Sequence, residues 1–190
     1  MDNNIFDLYA KRHSFYNITN DCPLTAEEIE NLVQKSLELY PSPFNSQSAR
    51  VMVLFGKNHK NLWSITQTEL LKAAPKEKAQ AISDKIASFA NGYGTILYFT
   101  DTDVTRALQN KFPLYAANFD NWAYQCNAIF NLWCGPLWPI PILAPTCNII
   151  ILLLMMLFVK LLTYQTIGNL LPKCLLAALV QLLKHTVLKI

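Results

Sequence analysis

The sequence runs out of acid before it runs out of chain. All 13 Asp and Glu residues lie between Asp2 and Asp120, and residues 121–190 contain none. The same stretch has four cations: Lys160, Lys173, Lys184 and Lys189. Residues 1–120 carry 12 Lys and Arg against 13 acids, a net of −1, so the overall +3 is −1 plus +4. The net charge is therefore no evidence for a nucleic-acid surface, and no nucleic-acid partner is expected. The five cysteines show no CxxC spacing, which excludes a zinc-ribbon pattern, and their odd number excludes a fully paired disulfide framework. The acidic start, Met1-Asp-Asn-Asn, lacks the apolar run of a signal peptide and predicts a cytoplasmic chain. Disorder is excluded too, because 52% of residues are hydrophobic and only 15% charged.

What is present reads as helices interspersed with a few buried strands. Thr25 and Glu28 have the spacing of a capping box, and the helix behind them places Ile29, Leu32, Val33 and Leu37 on one face. Pro41 and Pro43 end it near Tyr40. Val51–Phe55 reads as a buried strand closed by Gly56, and Thr95–Phe99 as a second one after a Gly92-Tyr93-Gly94 turn. Between them, residues 58–73 form a helix burying Leu62, Ile65, Leu70 and Leu71. Pro75 starts another helix that runs to about Phe89. Asp101 or Thr102 caps a helix carrying Val104 and Leu108, and a further helix covers Asn118–Asn131. The expected class is α+β or α/β.

Two local features carry chemistry. Arg12, His13 and Ser14 set a guanidinium, an imidazole and a hydroxyl side by side, which suits a phosphate and equally suits an exposed charged turn. Pro41-Ser-Pro-Phe-Asn-Ser-Gln-Ser-Ala-Arg50 puts amides and hydroxyls in a loop between a helix and a buried strand. Such a loop can orient a heteroaromatic ligand or be an ordinary polar turn.

Taken together, with about 30 residues between them, these two segments resemble the FMN-dependent nitroreductase family, in the form carried by its small FNSQSAR-type subgroup. Leu62-Trp63, Phe89–Thr95 and Phe112–Phe119 extend the resemblance in register, so that it covers residues 8–132. It implies an α+β fold, with a central, mostly antiparallel sheet flanked by helices, in a homodimer that binds FMN at the subunit interface. Arg12 and Ser14 would hold the phosphate with His13 beside them. Asn45 and Gln47 would bond the flavin ring, and Ser42 and Phe44 would line the pocket. The implied reaction is ping-pong hydride transfer from NAD(P)H to a small-molecule acceptor: a nitroaromatic, a quinone or a similar compound. No side chain is assigned a catalytic role, and no metal is expected.

Beyond Leu132 the resemblance stops, and the two parts divide as residues 1–132 and a hydrophobic tail, 133–190. Leu143–Leu162 is long and apolar enough to be read as a membrane helix. The genetic code offers another reading. Ala144–Leu152 can be written GCG CCA ACC TGC AAC ATT ATA ATC CTA, which from its third base reads ANLQHYNP, a segment typical of the family. Pro172–Ala177 likewise yields QMPFG, and Trp133–Pro139 yields VWTALA. Three such segments in order point to a frameshift between about Phe130 and Trp133, with the tail an out-of-frame translation and the family's C-terminal part lost or aberrant. That predicts impaired flavin binding in this chain. The competing readings are a tail-anchored membrane protein with a flavoprotein-derived head, and a non-catalytic module that binds a phosphate-bearing ligand.

Overall fold

A computed structural model describes residues 6, 7, 10 and 18–134. The expectations for Arg12–Ser14, and for the tail beyond Cys134 including Leu143–Leu162, fall outside the described residues. From Ala26 onward the described residues form five helices and two strands in order: α1 (Ala26–Leu39), β1 (Ala49–Phe55), α2 (Gly56–Ala73), α3 (Ala79–Ala90), β2 (Gly94–Thr100), α4 (Thr102–Lys111) and α5 (Phe119–Cys134). Short 3-10 turns at Pro43–Asn45, Lys76–Lys78 and Pro113–Asn118 join them. The class is α+β.

Local chemistry starts and stops most of these elements where the sequence predicts. Thr25 Oγ1 accepts from the Glu28 amide at 3.3 Å, and Glu28 accepts from the Thr25 amide at 2.8 Å, closing the capping box. The Thr25 amide and, at 2.9 Å, the Thr25 hydroxyl both donate to the Glu28 carboxylate and hold its pKa below the ordinary value. Asp101 caps α4 by accepting from the Asp103 amide at 3.0 Å. Gly56 differs from expectation: it opens α2 instead of closing β1. Its φ of +51° lies in the left-handed region, where glycine bears no Cβ penalty, and this lets a strand turn directly into a helix.

The strands pair antiparallel, from Ala49 opposite Thr100 to Phe55 opposite Gly94. Alternation sends their side chains to two cores. Val51, Val53, Ile96 and Tyr98 face Ile29, Val33 and Leu37 of α1 and Phe130 of α5. Met52, Leu54 and Leu97 face Leu62 of α2. At Gly94 the strands approach so closely that an added Cβ would lie 2.7 Å from the Phe55 ring. In α2 the buried face is His59, Leu62, Trp63 and Thr66, while the expected Leu71 is exposed.

His59 joins three elements. Its Nε2 lies 3.1 Å from the Ala90 carbonyl, which can only accept, so Nε2 carries the proton. Nδ1 therefore accepts from Thr95 Oγ1 at 2.8 Å, and the same oxygen accepts from Trp63 Nε1 at 3.1 Å. The imidazole is 1% exposed. Burial disfavours its charged form and lowers its pKa from the ordinary 6.5.

Candidate functional site

The loop between α1 and β1 is closed by the residue that precedes it. Tyr40 cannot continue the helix into Pro41, and its hydroxyl accepts from the Ala49 amide at 3.2 Å, bridging the two ends. Inside, Asn45 N–H donates to the Ser42 carbonyl and Ser46 N–H to the Pro43 carbonyl, both at 3.0 Å. Ser42 Oγ accepts from the Gln47 amide at 3.0 Å.

The backbone here is unusual. Phe44, Asn45 and Gln47 have φ of 55°, 49° and 46°, all left-handed. For L-residues that conformation costs roughly 1–2 kcal/mol each, least for Asn, so surrounding contacts must hold it. Phe44 supplies one set. Its ring centroid lies 4.8 Å from that of Phe112, 5.3 Å from Phe119, 5.9 Å from Tyr115 and 6.2 Å from Trp122. Arg50 supplies another. Its Nη1 donates to the carbonyls of Gln47 at 2.7 Å and Ala49 at 2.8 Å, and its Nη2 pairs with Asp101 Oδ2 at 3.0 Å.

The strain presents two amides. Asn45 and Gln47 are exposed. Of the sequence-predicted residues, Ser42, Phe44, Asn45 and Gln47 thus sit in one loop, with Ser42 bracing it from within and Phe44 both anchored and half open to solvent. Arg12, His13 and Ser14 lie outside the described residues.

The aromatic cage around Phe44 was not anticipated as part of the site, yet a signal for it exists. Phe112, Tyr115, Phe119 and Trp122 recur at three- and four-residue intervals, the spacing of one helical face. Burial pushes the Cys126 thiol pKa up, away from the reactive thiolate. Among the described residues there is no group of metal ligands. Nor is any helix there long and apolar enough to cross a membrane.

Comparison with known proteins places this arrangement. The model of the nitroreductase family matches residues 9–133. That match ends one residue past Leu132, where the resemblance read from the sequence also gives out. Nitroreductase FRM2 of Saccharomyces cerevisiae is 28% identical over 122 residues, 63% of this chain and 60% of that protein. HBN1 of the same yeast, provisionally named a nitroreductase, is 30% identical over 126 residues, 64% of this chain and 62% of that protein. The chain thus matches less than two thirds of the length of these curated relatives. Among solved structures, nitroreductase CinD of Lactococcus lactis in complex with nicotinic acid superposes with a TM-score of 0.63 at 29% identity, covering 70% of this chain and 67% of that one. A nitroreductase from Saccharomyces cerevisiae gives 0.62 at 25% identity, covering 72% and 75%.

Proposed function

The chain belongs to the nitroreductase family, and from that premise we propose that it derives from an FMN-dependent NAD(P)H oxidoreductase that reduces nitroaromatics, quinones or similar acceptors by ping-pong hydride transfer, with its flavin site incomplete here. The observation that carries the reading is the left-handed loop that holds Asn45 and Gln47 out to solvent. Each side chain offers a carbonyl acceptor and an NH2 donor. The pyrimidine edge of a flavin alternates carbonyls with an N–H, so the donor set fits it. Ser42 Oγ gives one lone pair to the Gln47 amide and keeps its own proton to donate. Phe44 offers an apolar ring face beside the amides. Arg12 and Ser14, with His13, have the chemistry to hold the phosphate.

When bound, FMN supplies two-electron redox chemistry that no side chain of this loop can perform. The chain's residues bind and orient. CinD has been solved with chloramphenicol and with 4-nitrophenol, which supports an aromatic acceptor class for this chain as well. A homodimer completes the expected assembly. The abrupt end of the family match supports the reading of residues 133–190 as out-of-frame sequence, and the segments replaced there would otherwise complete the sheet and the flavin site.

Titration of the full chain with FMN, followed by flavin fluorescence, tests the reading. Expected is weak binding that Asn45→Ala weakens a further 2- to 12-fold or so, the worth of one neutral hydrogen bond. Binding indifferent to Asn45→Ala would refute the site. A chain that purifies with stoichiometric, tightly held FMN would refute the incompleteness.

A further inference from the structure

We propose that Arg50 is a positioning residue: through its guanidinium it holds the Gln47 backbone in the left-handed conformation that presents the Asn45 and Gln47 amides. The proposal rests on the flavin reading of that loop and adds to it a residue that need never touch the flavin.

Gln47 is pinned at both of its backbone polar groups. Its N–H goes to Ser42 Oγ at 3.0 Å, and its carbonyl receives Arg50 Nη1 at 2.7 Å. With both ends of the residue fixed, the direction in which its side chain leaves the backbone is fixed as well. The reference points are rigid. Arg50 stands in β1 opposite Phe99 of β2, and its second nitrogen meets Asp101, whose amide donates to the Ser48 carbonyl at 2.7 Å. Asp101 divides its two oxygens. Oδ2 takes Arg50, and Oδ1 caps α4. The loop is thereby indexed to the end of the sheet and to the start of a helix at once.

The geometry needs arginine. Nη1 carries two protons and serves two carbonyls, Gln47 and Ala49, while Nη2 reaches the carboxylate. The planar fork spaces those partners. A lysine ammonium is a single point that could keep the carboxylate and lose the carbonyls. Arg50 and Asp101 are 25% and 30% exposed, so the ion pair by itself contributes little to stability. The directional bond to Gln47 is what the loop requires.

The test compares full-length Arg50→Lys and Arg50→Ala with the parent chain by three readouts: amide hydrogen exchange, urea midpoint and FMN titration. The Asn45, Ser46 and Gln47 amides are all bonded inside the loop and so report its order. Expected for Arg50→Lys is an unchanged midpoint and unchanged exchange in residues 51–54. Its amides at 45–47 exchange about tenfold faster or more, because local opening no longer meets the Arg50 restraint. FMN affinity falls about fivefold, a modest loss of preorganisation. If lysine restores all three readouts, the role is only that of a charge partner and the proposal is overturned. Unchanged 45–47 exchange in either variant overturns it too. Should Arg50→Ala not fold, Arg50→Lys still decides. If the parent chain binds no FMN, the flavin reading fails alone, and the exchange contrast still decides what Arg50 does to the loop.

Discussion

Two polar clusters in this molecule are built on opposite plans. Around Thr95, each polar atom is used by its neighbours: Trp63 donates to the hydroxyl, the hydroxyl to His59, and His59 to the Ala90 carbonyl. The groups are buried, the backbone is ordinary, and the result joins α2, α3 and β2. Around Gln47, the backbone groups are just as fully used, yet the Asn45 and Gln47 side chains are held out to solvent on a strained backbone. A polar cluster that spends its side chains on itself serves the fold. One that spends its backbone to display its side chains leaves them facing solvent, where a ligand can reach them.

The contrast can be broken at its strongest point first. Thr95→Val keeps the shape and removes the shared hydroxyl, leaving His59 Nδ1 and Trp63 Nε1 without it. At about 1–3 kcal/mol for each of the two stranded groups, urea unfolding should show a loss of about 2–6 kcal/mol. Exchange of the 45–47 amides in the folded variant should not change, and a change there would mean the two clusters are coupled.

Acid should act on the first cluster through His59. Burial keeps the His59 pKa below 6.5 in the fold, so the unfolded chain takes up the proton first. Stability from this group is full above about pH 6.5 and is lost as pH falls from there toward the folded value. Urea midpoints at pH 5.5 and 7.5 should show that slope, and His59→Gln should flatten it.

The smallest effect belongs to the loop. Gln47→Gly removes a left-handed cost of roughly 1–2 kcal/mol and adds glycine's entropy cost of about 0.5–1 kcal/mol, so stability should hold or rise by about 1.5 kcal/mol at most. FMN titration should show weaker binding of the same variant. Stability and affinity moving in opposite directions would sharpen the contrast, and a fall in both would erase it.

What was legible in the sequence was local. The Thr25–Glu28 box, the Asp101 cap and the strand around Val51–Phe55 depend on residues within a few positions of one another, and each stands where periodicity and capping chemistry put it. The loop composition also marked Ser42, Asn45 and Gln47. Its shape was not legible, because left-handed backbone is signalled by glycine or asparagine, and only Asn45 among the three qualifies. Phe44 and Gln47 are held there by rings and a guanidinium that the chain supplies elsewhere. The buried face of α2 was misjudged for a related reason. His59 and Thr66 are polar, and apolar periodicity passes over them, although tertiary partners satisfy His59 and the Leu62 carbonyl satisfies Thr66.

The ring cage around Phe44 also sets an order of events. Its partners Phe112 and Trp122 follow it by about seventy residues or more along the chain. During synthesis the loop leaves the ribosome long before the rings that fix it. Closing so long a span must precede any benefit from the contact. The loop is therefore among the last parts of the domain to reach its left-handed shape, and a nascent chain interrupted before Trp122 carries Asn45 and Gln47 without the full ring cage around Phe44.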